Sequence, residues 1–265
     1  MNLFKREMKA NLKSLIIWSI GVIFMVASGM GKFSSLEGTG QSMNALMADM
    51  PKSLQAIMGT GSLDLSTPIG YFGVLFLYLA VMGAIHAAML GSNIIAKEER
   101  DKTVEFLLVK PVSRTKMITS KLLAALVNIL IFNLVTFASS VGMVQKYAEG
   151  EDILGDITLL MVGMLILQLL FLVIGTAIAA VLKNAKKATS LATGILLILF
   201  ILSIAIDLTE KLEGLKFLTP FKYYDAKLIL EEGGFDPMYL VISFVLLVGL
   251  TIVTFVFYRK RDMNI

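Results

Sequence analysis

The sequence predicts an all-α integral membrane protein with six transmembrane helices, an N-terminal interfacial helix and both termini cytoplasmic. Three observations carry this. The chain is 57% apolar and 17% charged, with a mean hydropathy of +0.80, whereas water-soluble domains carry about 25% charged residues. Its charges are bunched between uncharged runs, and six of those runs approach or exceed the roughly 20 residues needed to cross about 30 Å of hydrocarbon at ~1.5 Å per residue. Lys and Arg also fall unevenly on the two sides of these runs, which sets orientation. The composition excludes much chemistry: with no cysteine and one histidine, disulfides, thiol nucleophiles and Cys- or multi-His-ligated metals have no residues to build on.

The elements follow in order within a single domain spanning 1–265. Residues 1–13 place Phe4, Met8 and Leu12 on one helical face and Lys5, Arg6, Lys9 and Lys13 on the other, the pattern of a helix lying along the inner leaflet. A basic start before an apolar run also describes a signal peptide, with Ala27, Ser28 and Gly29 as its cleavage region; an uncleaved span is the reading adopted. The expected spans are 14–31, 69–96, 122–144, 157–182, 188–206 and 238–258, the first being the shortest. Of the 24 Lys and Arg residues, 17 lie before span one, between spans two and three, between spans four and five, or after span six. That side is therefore expected to face the cytoplasm of a bacterial cell membrane. The pI near 9.1 is then an orientation signal, and no nucleic-acid partner is expected.

Two outer loops carry content. Residues 32–68 hold Gly, Ser and Thr clusters around an amphipathic stretch, 43–58, that Pro51 interrupts. The last outer loop, 207–237, concentrates Leu215, Phe217, Leu218, Phe221, Tyr223 and Tyr224; aromatic residues at that density favour the membrane interface, so a short helix dipping into the outer leaflet is expected.

The longest inner connection, 97–121, reads KEERDKTVEFLLVKPVSRTKMITSK. Val104, Leu107 and Leu108 stand at i, i+3 and i+4 on a short helix that Pro111 must end, and Ser113 is placed to cap the next one. An apolar patch among charges fits a docking surface; a solvated loop on the lipid headgroups fits the same composition. In this stretch Glu98, Glu99, Thr103, Glu105, Leu107, Leu108, Pro111, Ser113 and Arg114 follow the order Glu-Glu-x-x-x-Thr-x-Glu-x-Leu-Leu-x-x-Pro-x-Ser-Arg. Leu218-Thr219-Pro220-Phe221-Lys222-Tyr223-Tyr224 stands before the last span, and Tyr258-Arg259-Lys260-Arg261-Asp262 closes the chain. With these motifs in this order, the whole chain resembles the membrane (permease) subunit of type-2 ABC exporters.

The resemblance implies the type-2 exporter transmembrane-domain fold, a coupling helix docked on an ATPase, and a permease dimer, expected to be a homodimer, over two ATPase copies. Glu98, Glu99, Thr103, Glu105 and Arg114 are then expected as polar or ionic ATPase contacts, and Leu107 and Leu108 as their apolar anchor. The chain has no Gly-x-x-x-x-Gly-Lys-Ser/Thr stretch, so nothing in it cradles a nucleotide phosphate. It is not expected to be an enzyme or to hold a cofactor; ATP and magnesium belong to the partner.

Span two has two faces. Gly83, Ala87 and Gly91, with Ala84 and Ala88, form a small-residue face that lets another helix approach closely. Tyr71, Leu75, Tyr78, Met82, His86 and Met89 form a stripe of larger side chains, a candidate lining for a substrate path. The resemblance places spans two and five at the dimer interface and adds Leu191, Gly194, Ile198 and Leu202. Within the spans His86 is the one residue that titrates near neutral pH; a neutral histidine bonded to a neighbouring helix, a substrate contact and a proton relay all fit it. A charge-free path suits hydrophobic or amphipathic cargo, and the resemblance favours antimicrobial or toxin-like peptides, then drugs or lipids. An ion-coupled carrier or sodium-exporter subunit, and a non-transporting scaffold or sensor, are the alternatives.

Overall fold

A computed structural model of the chain describes residues 3–37, 44, 49–60, 63–100, 113–148, 150, 152–182 and 184–260. In chain order the helices are α1 (Leu3–Glu37), α2 (Lys52–Met58), α3 (Pro68–Arg100), α4 (Arg114–Val144), α5 (Leu154–Val181) and α6 (Ala185–Leu208). A 3-10 segment (Glu210–Leu218) follows, then α7 (Pro220–Tyr223), α8 (Ala226–Glu232) and α9 (Pro237–Lys260). Six of these, α1, α3, α4, α5, α6 and α9, are long and apolar enough to cross a membrane, and the described residues contain no strand.

The crossing helices overrun the apolar runs, because backbone hydrogen bonding does not stop where the hydrocarbon does. This corrects the expectation at two places. The N-terminal interfacial segment is not a separate helix: α1 runs unbroken from Leu3 to Glu37. The chain has no proline between those residues to interrupt it. Phe4 and Met8 pack against the core, whereas Leu12, expected on the same face, is 49% exposed. The connection expected over 97–121 is shorter than its charges imply, since 97–100 complete α3 and 114–121 open α4. Ser113 caps α4 as its position predicts, its hydroxyl accepting from the Lys116 N–H at 3.3 Å.

α3 and α5 form the centre of the bundle and share its most extensive helix contact. Gly91 and Gly175 make it possible. A β-carbon on Gly175 would stand 2.5 Å from the Ala88 carbonyl oxygen and 3.0 Å from the Ser92 nitrogen, and one on Gly91 would collide with the Leu172 carbonyl. Ala84, Ala87 and Ala88 are fully buried beside them. In lipid, where apolar side chains gain little by leaving their surroundings, such close backbone approach is a main source of helix association. α4 and α6 flank this pair, α1 lies on α4 and α3, and α9 lies on α5.

Polar links between helices complete the core. Asn133 of α4 donates to the Met161 carbonyl at 3.1 Å and to Gln168 Oε1 of α5 at 3.3 Å. The hydroxyls of Thr176 on α5 and Thr254 on α9 meet at 3.2 Å. The periphery is apolar, with Ile17, Ile20 and Phe24 on α1 and Phe244 and Val245 on α9 exposed, as lipid-facing positions require.

Candidate functional site: the two ends of the bundle

At the basic end, the starts of α1 and α4 meet the ends of α3 and α9. Lys121, a flanking charge in the sequence, is 2% exposed, and its ammonium donates to the Ile94 carbonyl of α3 at 2.5 Å. Arg114 donates to the Arg259 carbonyl at 2.9 Å, tying α4 to the last turn of α9. Glu7 is 1% exposed; Arg6 holds one of its carboxylate oxygens at 2.9 Å. Glu98 and Glu99 lie on the final turn of α3. Thr103, Glu105, Leu107 and Leu108 fall outside the described residues. Of the expected coupling residues, then, Arg114 has a described contact, and it is to this chain's own backbone.

The large stripe of α3 does not stay together as one lining. Leu75 packs against Gly29 of α1, where a β-carbon would come 2.8 Å from its methyl groups, and Met82 packs in the same way against Gly21 at 2.9 Å. His86 is buried between Trp18 and Phe132, at ring separations of 5.5 and 4.8 Å. Tyr71 stacks obliquely on Phe33 at 5.3 Å. These four thus face α1 and α4 inside the chain. Tyr78 is 41% exposed and Met89 partly so. On α6, Leu191 and Ile198 are exposed, Gly194 faces open space and Leu202 is half-buried. The residues left for contact with something outside the chain are therefore Tyr78, Met89 and the α6 set.

At the far end, the 207–237 connection enters the bundle. The Thr219 hydroxyl donates to the Leu199 carbonyl at 2.8 Å, nine residues before α6 ends at Leu208, or about 13 Å along the helix. Phe221 then packs between Phe171 of α5 and Phe200 of α6, at 5.3 and 5.4 Å. The chain turns at Pro220, which starts α7 where its missing N–H costs nothing. Tyr223 stacks on Tyr239 at 4.7 Å, and the Tyr224 and Ser243 hydroxyls meet at 2.7 Å. The aromatic cluster read as an interface signal is thus the packed root of a re-entrant segment.

This segment closes one wall of a cavity of about 390 Å³. Phe76, Leu77 and Ala80 of α3, Leu167 of α5 and Phe221 make its apolar part; Asp207, Lys222, Asp225 and Lys227 supply its charged lining. The Lys222 side chain is 13% exposed and its ammonium pairs with Asp207 and, at 3.2 Å, with Asp225. Sequence reasoning missed this triad. Asp207 directly follows an apolar run and Lys222 sits inside an aromatic one, which was the available signal. On the same side of the molecule, Asp64 accepts from the Ser66 hydroxyl and Asn44, and these bonds hold its carboxyl below the usual carboxylate range.

Taken together, the geometry defines a multi-pass helical membrane protein whose charged groups gather at the two ends of an apolar bundle, with no cluster of metal-binding residues among those described. The chain belongs to the ABC-2 family of transporter proteins, whose family model matches residues 1–263. It is accordingly a membrane subunit of an ABC transporter, and the family implies a partner ATPase. No curated relative matches the sequence.

Proposed function

We propose that this chain is the permease of an ATP-driven exporter that carries hydrophobic or amphipathic cargo out of the cell, antimicrobial or toxin-like peptides being the favoured class. It works as one of two permease copies on two separate ATPase subunits, with its basic end in the cytoplasm. The observation that carries this reading is the family match over nearly the whole chain in a sequence with no phosphate-binding loop. An ABC transport cycle then needs nucleotide chemistry from another polypeptide.

Power enters at the basic end. There α3 and α4 are clamped to each other by Lys121 and Ile94, and α4 to α9 by Arg114 and Arg259. A push on the 101–112 connection would move these helix ends together, and through the α3–α5 seam the rest of the bundle. Glu98, Glu99, Thr103, Glu105, Leu107 and Leu108 are the proposed ATPase contacts. Tyr78, Met89, Leu191, Gly194, Ile198 and Leu202 are the proposed lining between two copies, which alternately opens inward and outward. The test is a double substitution, Glu105→Ala with Leu107→Ala, in the permease–ATPase complex. It is expected to abolish cargo-stimulated ATP hydrolysis while leaving the permease folded; unchanged assembly and stimulation would reject the assignment.

A further inference from the structure

We propose that the basic end of α1 is a binding site for a net-negative phospholipid, held with its phosphate between Lys9 and Lys13 and its acyl chains along the apolar ridge that continues from them. Lys5, Lys9 and Lys13 recur every fourth residue, so they share one face of α1, and all three are exposed. The residues that fix α1 to the bundle, Leu15, Val22 and Val26, are buried on the other side of the helix. Leu12, Ile16 and Ile20 stand seven positions after the three lysines and are exposed. Seven residues make close to two turns, so each lysine has an apolar side chain in line with it about 10 Å along the axis. That is the order of groups in a phospholipid, phosphate first and hydrocarbon next.

The charge of the occupant follows from what this face lacks. None of the three lysines pairs with an acid among the described residues, and lysines four apart on one helix face repel. The acid nearest in the sequence, Glu7, is turned into the protein: it is buried, and Arg6 holds one of its carboxylate oxygens. The β-carbons of Lys9 and Lys13 are about 5–6 Å apart by helix geometry, so both ammonium groups can reach one phosphate. Lys5 lies one turn further from the hydrocarbon, level with the outer part of a lipid head. There it repels a choline or ethanolamine ammonium and admits a head that carries no cation. A separate helix along the leaflet would lay these lysines flat on the surface, whereas α1 runs unbroken from Leu3 to Glu37 and keeps them in register with its lipid-facing ridge. Orienting a span requires only enough basic residues on one side; it does not require that register. The proposal goes beyond the export reading and does not rest on it.

The chain has no cysteine, so Ile16→Cys gives one thiol, which carries a bimane fluorophore in the full chain reconstituted in phosphatidylcholine vesicles. Phosphatidylglycerol or phosphatidylcholine with a nitroxide on the acyl chain quenches it, and the two quenching curves give the relative binding constant of anionic over zwitterionic lipid beside α1. A preference of about fivefold is expected, the worth of one lysine at a charged lipid surface. Lys9→Gln with Lys13→Gln is expected to bring the ratio close to one, and Lys9→Arg with Lys13→Arg to keep it. Lys186→Gln with Lys187→Gln removes the same charge from two exposed lysines at the start of α6 and is expected to leave the ratio at Ile16 unchanged. No preference in the labelled parent, or equal loss from the α1 and α6 pairs, which marks a diffuse field with no site, would overturn the proposal. Neither ATPase nor ATP is present, so failure here leaves the export reading standing.

Discussion

The two faces of α3 are built on different principles. Toward α5, glycine and alanine bring backbone against backbone, with Gly175 over the Ala88 carbonyl and Gly91 over Leu172. Toward α1, Leu75 and Met82 reach across to Gly29 and Gly21, and His86 fits between two aromatic rings. The first face is fixed by the absence of side chains, the second by flexible side chains in glycine notches. A backbone contact has no rotamer with which to relieve a clash, whereas a leucine or methionine tip can move. The α3–α5 seam is therefore the face least tolerant of added side chains, and the α1–α3 face the more accommodating one.

The largest effect that sharpens this contrast is expected from Gly175→Val. Its branches would press on the Ala88 carbonyl and the Ser92 nitrogen, both backbone, and should cost ~3 kcal/mol or more. It is read as loss of monodisperse protein in size-exclusion chromatography. Gly21→Ala comes next, at about 1 kcal/mol, because the Met82 methyl it meets at 2.9 Å can swing away; a lower melting temperature with a normal elution profile is the expected record. If the two substitutions cost the same, the distinction between the faces fails. Asn133→Leu removes both bonds between α4 and α5 and is expected to cost roughly 0.6 kcal/mol, the average worth of such links in membrane proteins, by the same melting measurement.

The smallest effect lies outside the seam, where Asp64 bonds Ser66 and Asn44 just before α3 begins. Its carboxyl titrates lower in the folded chain than in the unfolded one. Its stabilisation is therefore complete above the unfolded carboxylate range and is lost as pH falls through the lower, folded value. Amide exchange at residues 66–70 is expected to rise in that acid window, and Asp64→Asn should abolish the change.

Sequence reading succeeded where a residue type compels a geometry. Long uncharged runs leave a chain no solvent but lipid. The glycine and alanine spacing of α3 admits another backbone, and Ser113 after Pro111 is a helix start. It failed where the outcome depended on a distant neighbour. The charges of Lys5, Arg6, Lys9 and Lys13 signalled a boundary, yet nothing in residues 3–37 terminates a helix, and α1 is continuous. The stripe from Tyr71 to Met89 is one face by periodicity, but periodicity does not say which helix covers it; Gly21 and Gly29, some fifty residues earlier in the chain, decided that for Leu75 and Met82. The triad at the far-end cavity joins Asp207 to Lys222 across a re-entrant turn; each charge stands out against its apolar neighbours in the sequence, but no local pattern pairs them.

The central claim is that the chain supplies the membrane path and another subunit supplies the energy through the basic end. Its most direct test is uptake of a labelled cationic amphipathic peptide into inside-out proteoliposomes, holding either this chain alone or the chain with its co-purified ATPase, with and without ATP. Accumulation only with both subunits and ATP is the expected result. Equal accumulation by the chain alone, driven by an ion gradient and indifferent to ATP, would contradict the account.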